Sequence, residues 1–247
     1  MKLHNENKRY VGIRRTAGEV KRYRIMMRII PAAMGCVILV LALLYAITVM
    51  YSKYGSFTVM VNKFDNVKYA LTLSETRDFK NPVARLNSKA EQDVTNIDGN
   101  WLPKDLDMID GEHNGDNYVA YTFYCKNAGK ETVTYEYQLY IVNMTLDIEN
   151  AVRVRLFVDG ESTDYAKTAT DGSGPEPGTV EFVSEGVIVR NQIANFAPDD
   201  ITKFTVVIWL EGNDPECVDN ILGGQFKIDM SMSIIGIEEN EIATEAN

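Results

Sequence analysis

Two hydrophobic patterns divide the chain. From Ile29 to Ser52 the sequence IIPAAMGCVILVLALLYAITVMYS runs 24 residues without a charge. A helix of that length spans about 36 Å, enough to cross a hydrocarbon core of roughly 30 Å. Pro31 falls in the first turn of this predicted helix, where a missing N–H costs little. Tyr45, Tyr51 and Tyr54 gather at the far end, where aromatic rings favour the interface. After residue 55 the period becomes two, the signature of strands with a buried and a wet face. Phe57, Val59 and Val61 share one face, and Tyr69, Leu71 and Leu73 another. Val119, Tyr121, Phe123 and Cys125 alternate with Tyr118, Thr122 and Lys126. Val133, Tyr135, Tyr137, Leu139 and Ile141 form a long stripe. Its phase then switches to Val142, Met144, Leu146 and Ile148, which predicts a bulge or bend near Ile141–Asn143.

Further stripes follow at Val152, Val154, Leu156 and Val158, at Val187 and Val189, and at Phe226, Ile228, Met230, Met232 and Ile234. In KFTVVIWLE both faces are apolar, Phe204, Val206, Ile208 and Leu210 on one and Val207 and Trp209 on the other, so this strand is predicted to be central. Turn signals separate the runs: Asn127-Ala128-Gly129, Asp159-Gly160, DGSGPEPG at 171–178, Asp199-Asp200 and Asn213-Asp214-Pro215. Residues 77–117 break the pattern, with Leu86, Trp101 and Leu102 as the main apolar anchors. A stretch of that length predicts an ordered excursion or short helices, one over residues 85–95. A second short helix is predicted over Pro215–Ile221, with Asp214 as N-cap and Gly223 as terminator. Eight or more strands with no long helical pattern predict an all-β fold, a jelly-roll-like antiparallel β-sandwich preceded by one N-terminal transmembrane helix.

Charge orients this arrangement. Residues 1–28 carry nine Lys or Arg against Glu6 and Glu19, a balance of +7; residues 53–247 carry 16 basic and 33 acidic groups, a balance of −17. The positive-inside rule then places a basic tail (1–28) in the cytoplasm, a membrane helix at 29–52, the sandwich (53–236) outside, and an acidic C-terminal tail at 237–247. The basic tail also suits anionic lipid heads. The acidic exterior argues against nucleic acid as a partner. A cleavable signal has an apolar core of about 7–15 residues followed by a small-x-small site. Here the core is longer and VMYSKYGSF offers no such site, so the segment reads as an uncleaved anchor. Ala33-Met34-Gly35-Cys36 is similar to a lipobox, but Cys36 precedes most of the apolar run instead of ending it.

Candidate chemistry is sparse. The two histidines are His4 and His113, so no H-E-x-x-H site exists. His113 lies in a loop of Asp, Gly and Asn, without a nucleophile-elbow motif. Asp110, Glu112, Asn114 and Asp116, with Gly115, imitate the start of a calcium loop, but Tyr121 stands where a bidentate Glu would close it. Calcium at this loop is therefore one expectation, and an acidic turn leading into a strand is the other. Cys125 and Cys217 both fall outside the membrane, where a disulfide is permitted; a buried free thiol suits Cys125 equally. Asn143-Met144-Thr145 is a formal glycosylation sequon. Six tyrosines populate two neighbouring strands. Alternation turns Tyr121, Tyr135 and Tyr137 inward and leaves Tyr118, Tyr124 and Tyr140 as candidates for binding glycans or proteins.

The run TKFTVVIWLEGNDPECVDNILGGQFKIDMSMSI at 202–234 resembles the exported TasA/camelysin-type proteins associated with SipW-like signal peptidases of Gram-positive bacteria. The likeness rests on Trp209-Leu210-Glu211-Gly212, then Asn213-Asp214-Pro215, a short helical insert, Gly223-Gly224 and an alternating final strand. Tyr121–Gly129 is similar to that family's strand followed by a K-N-x-G turn. The resemblance implies a jelly-roll-like fold; family members include biofilm-matrix fibre subunits, and camelysins have been called proteases. Together these readings predict a single-pass membrane protein displaying a non-enzymatic sandwich at the cell surface, with an extracellular protein or matrix component as partner. A glycan- or ligand-binding module, a secreted fibre subunit and a two-carboxylate hydrolase are the alternatives.

Overall fold

The computed structural model describes residues 17–53, 57–62, 70–89 and 94–238. The expectations for residues 1–16, Tyr54, Tyr69 and the end of the acidic tail lie outside the described residues. Two compact units are present, residues 1–51 and 52–247.

The first unit is one helix, α1 (Ala17–Lys53), in which Ile25–Ala46 forms a 22-residue window of mean hydropathy 2.5 with none of it buried. The helix begins well inside the basic segment, because Lys, Arg, Glu and Met there are good helix formers. Pro31 is consequently interior to the helix and not in its first turn, and the carbonyl of Met27 lacks its usual donor.

The second unit is a sandwich of two mixed sheets. Its strands are β1 (Phe57–Val61), β2 (Leu71–Ser74), β3 (Arg85–Asn87), β4 (Gly111–Glu112), β5 (Tyr118–Asn127), β6 (Thr132–Met144), β7 (Val152–Val158), β8 (Glu161–Ala166), β9 (Val180–Glu181), β10 (Val187–Phe196), β11 (Ile201–Leu210) and β12 (Phe226–Glu238). One sheet has the order β10-β6-β12-β1-β3; the other runs β2-β5-β11-β7-β8-β9, with β4 also on β5. The antiparallel expectation fails at two pairings: β1 lies parallel to β12, and β8 parallel to β9. Alternation reports which face a residue takes, not the direction of a partner strand far away in sequence.

The inward stripes match their expected phase. Phe57, Val59, Tyr121, Phe123, Tyr135, Leu139, Val154, Phe204, Val206, Ile228, Met230 and Met232 are buried in one core. Phe204 stacks on Phe123 with centroids 5.4 Å apart and meets the edge of Tyr137 at 5.3 Å, a geometry that adds to plain area burial. A bulge falls at Val142, where the β6–β12 register passes from Ile141 opposite Ile228 to Asn143 opposite Lys227. Val142, Met144 and Leu146 are nevertheless exposed, because the strand leaves the facing sheet there. Asp159 and Gly160 both take positive φ and close the β7–β8 hairpin in two residues, as the primed turns require. Asn127 caps its turn by accepting from Gly129 N–H at 2.9 Å, and its amide donates to the carbonyls of Glu131 and Phe196 at 3.0 and 2.8 Å.

The 77–117 excursion is ordered where described. It holds β3 in place of the helix predicted over 85–95, then two 3₁₀ turns, Gly99–Trp101 and Leu106–Met108. Leu102 and Leu106 pack on Ala120, Val207 and Trp209 to make a second core on the outer face of the larger sheet. Trp101, expected as an anchor, is 75% exposed. The helix predicted over 215–221 shrinks to a 3₁₀ turn, Asp219–Ile221, which Gly223 ends at φ +78°.

On the outer face of the smaller sheet, Thr58, Asp229 and Tyr140 lie side by side in register. Thr58 and Asp229 are buried, and neither Thr58 Oγ1 nor Asp229 Oδ1 makes a well-formed hydrogen bond among the described residues. Burial pushes the Asp229 carboxyl above its ordinary range, against the pull of Lys227, the adjacent Thr58 hydroxyl and Arg85. The carboxyl is therefore easier to keep protonated folded than unfolded. Its stabilising contribution is complete below the unfolded pKa and is lost as pH rises through the folded value. Asp229→Asn is expected to raise the melting temperature at neutral pH, by about 2–4 °C per kcal/mol regained, and to leave it unchanged in acid. Thermal melts across that range check both parts.

Candidate functional site

The outer face of the larger sheet carries a polar cleft of about 430 Å³. Strand alternation supplies its floor: Arg153 and Arg155 are two apart on β7, and Trp209 sits opposite Arg153 on β11. The Asp98–Asn100 segment and the Glu176–Thr179 loop form its sides, and the Glu211–Asp214 turn closes one end.

Each charge on the floor is paired. The Arg155 guanidinium donates from Nε and Nη2 to the two Asp164 oxygens at 2.6 and 2.8 Å, a bidentate fork. It also lies 5.4 Å from the Trp209 ring centroid, within cation–π range. Trp209 Nε1 and Gly99 N–H both donate to Glu211 Oε2 at 3.0 Å. Arg153 bonds Asp214, whose other oxygen accepts from Glu216 N–H at 2.7 Å, and Glu176 Oε2 lies 3.8 Å from Arg153. The Asn100 backbone N–H holds the Asp98 carboxyl below its ordinary range. The carboxylates thus act as acceptors for N–H donors, and Glu176 is the least engaged of them. The turn at Asp214 is legible in the sequence, but its buried pairing with Arg153, 61 residues away, is not.

The loop at 110–116 is tied into a hairpin. Asp110 Oδ1 accepts from Tyr124 OH at 2.6 Å, Glu112 accepts from Asn114 Nδ2 at 3.1 Å, and Asn114 Oδ1 accepts from Ala120 N–H at 2.9 Å. Lys89 adds an ion pair to Glu112 at 3.4 Å, and Asp116 is exposed. Among the described residues no three His, Cys, Asp or Glu side chains converge as a metal site requires. Gly115 permits the tight return to Tyr118, since a Cβ there would sit 2.2 Å from that ring. His113 Nδ1 lies 2.9 Å from the Gly111 carbonyl.

The structure places the cysteines and the remaining tyrosines as follows. Cys125 and Cys217 are both free. Cys125 pairs with Thr202 at one end of β11, whereas Cys217 follows the turn at the other end, about 25 Å away at roughly 3.3 Å per residue, so no disulfide forms. Burial pushes the Cys125 thiol up, which makes it inert. Tyr124 is buried because β4 and the preceding loop cover that part of the sheet; burial and Asp110 push its phenol up to about 12. Tyr118 and Tyr140 are half-buried, Tyr118 against the second core and Tyr140 beside Asp229.

The class defined so far is a two-sheet β-sandwich with one N-terminal apolar helix. The chain matches no protein-family model and no curated protein sequence. Two solved structures of the beta-glucosidase from Kluyveromyces marxianus, one in complex with glucose, align with 72% of this chain at 10% and 7% identity. The aligned regions cover 17% and 18% of the enzyme's chain, each with a TM-score of 0.23. The chain thus spans under a fifth of that enzyme, and so loose a superposition carries no argument about this protein.

Burial decides how strong the Arg153–Asp214 pair is. The side chains are 5% and 0% exposed, so removing one partner strands the other in low dielectric. Arg153→Met is expected to cost about 3–5 kcal/mol, and Arg153→Met with Asp214→Leu to recover most of that loss. Urea unfolding of the three proteins checks this. A single-variant loss under about 1 kcal/mol, the size of a surface pair, contradicts it.

Proposed function

We propose that this protein is a single-pass, N-in membrane protein that displays a non-enzymatic, jelly-roll-like sandwich on the outside of a Gram-positive-type cell. Its work is structural or adhesive contact with extracellular protein or matrix. The observation that carries the reading is the apolar window Ile25–Ala46 with basic charge on its N-terminal side. The strand, turn, short 3₁₀ segment and strand at 201–238 fit the resemblance to the TasA/camelysin-type proteins.

Strand addition supplies a physical mode of contact. β10 is a ten-residue edge strand of the smaller sheet, with Arg190, Asn191 and Gln192 exposed. The other sheet ends, β2, β3 and β9, are four, three and two residues long. An exposed edge of β10's length is a template for another strand.

Two measurements test the reading. Fractionation of the full-length protein from a Gram-positive host, with N-terminal sequencing, is expected to find Met1 retained and the protein in the membrane. A mature chain found in the medium and starting within the last part of the apolar run or just beyond it contradicts the anchor and favours a secreted fibre subunit. Sedimentation of the detergent-solubilised protein is expected to show self-association as concentration rises. A protein that stays monomeric throughout, with calcium and without, contradicts contact through the edge.

A further inference from the structure

One end of the sandwich carries an apolar cap, a cluster of side chains left largely exposed among the described residues. Val142 and Met144 at the end of β6, Leu146 just beyond it and Leu222 in the loop before β12 are 48%, 40%, 54% and 72% exposed. Hydrogen bonds hold them together: Met144 pairs with Phe226, and Thr145 N–H donates to the Gln225 carbonyl at 3.0 Å. Gly224 packs so closely on the Thr145 carbonyl that a Cβ would approach it to 3.0 Å. Leu146 and Asp147 take consecutive positive φ values of 59° and 52°, a conformation that suits Gly or Asn and disfavours leucine.

This is also the end at which the chain enters the sandwich. Phe57, the first residue of β1, stands opposite Ile228, which stands opposite Ile141. In the sequence Phe57 follows Lys53 by four residues. An extended chain covers at most about 3.6 Å per residue, so with Lys53, the first charge after the apolar run, at the bilayer surface, Phe57 is tethered within about 14 Å of that surface. Apolar faces of surface-bound elements sink about 5–10 Å into the headgroup layer. The cap is therefore within reach of lipid, and a protein partner at this end competes with the headgroups for it.

We propose that Met144, Leu146 and Leu222 form a lipid-facing surface, which enters the interfacial layer of the outer leaflet and fixes the tilt of the sandwich on the cell. The proposal rests on the anchored reading above. It defines an interaction surface separate from the β10 edge and from the cleft.

The test uses the full chain in vesicles of phosphatidylcholine and phosphatidylglycerol. Leu146→Cys, Leu222→Cys and Lys130→Cys are each made with Cys36→Ser and Cys217→Ser, and labelled with an environment-sensitive fluorophore; Cys125 is fully buried and stays unlabelled. Lys130, exposed in the β5–β6 turn at the opposite end, is the control. Nitroxide lipids are expected to quench the labels at 146 and 222 several-fold more than the label at 130. If the chain floats with the vesicles but all three labels are quenched alike, the lipid-facing surface is overturned and the anchor stands. A blue shift at 146 and 222 without lipid quenching means that protein covers the cap, and also overturns it. If the chain does not float with the vesicles, both readings fall.

Discussion

Strand β11 must be buried on both faces, and the second unit is organised around that demand. Phe204, Val206 and Ile208 enter the space between the sheets, while Val207 and Trp209 point the opposite way. Leaving a side chain of that size in water forfeits roughly 1.5–3 kcal/mol. The strand therefore needs neighbours on either side, which β5 and β7 supply, and a lid on its outer face. Residues 97–110 are that lid. Leu102 and Leu106 reach down to Val207 and Trp209, and Asp107 fixes the segment by accepting from Thr205 and Lys203 at 2.8 and 2.7 Å. A stretch that looks too polar to fold by itself is ordered because it completes a core begun elsewhere.

The same lid makes the cleft. It packs on Phe157 of β7, and Arg153 and Arg155, on the same outward face of that strand, line the cleft beside it with Trp209 shared between lid and cleft. Arginines suit this border, since their stems and flat guanidinium groups cover aromatic surface while their N–H forks meet carboxylates. The acidic groups around them come from segments distant in sequence, and they neutralise a floor that would otherwise hold two cations in low dielectric. The cleft is in this respect an electrostatic consequence of how the second core ends.

Much of the sandwich was legible because period-two alternation is a direct record of one buried face. The central place of β11, the bulge at Val142, the Asp159-Gly160 turn and the inward Tyr121, Tyr135 and Tyr137 all follow from residues close together in the chain. What stayed hidden depends on contacts between distant segments. Nothing near Phe57 announces a parallel partner at Ile228, and nothing near Arg153 announces Asp214. Tyr124 alternates as an outward residue and is buried only because the lid lies over it. Val142, Met144 and Leu146 alternate as inward residues and are exposed only because their strand outruns the facing sheet. Pro31 marked a helix start by local rule, yet the basic residues before it carry the helix back to Ala17.

The central functional claim is topological: basic residues inside, apolar helix across, acidic sandwich outside. Protease treatment of intact cells carrying the full chain with an epitope at each end tests it most directly. The account predicts loss of the C-terminal epitope from intact cells while the N-terminal epitope survives until the membrane is breached. Survival of both epitopes in intact cells, or loss of the N-terminal epitope first, contradicts it.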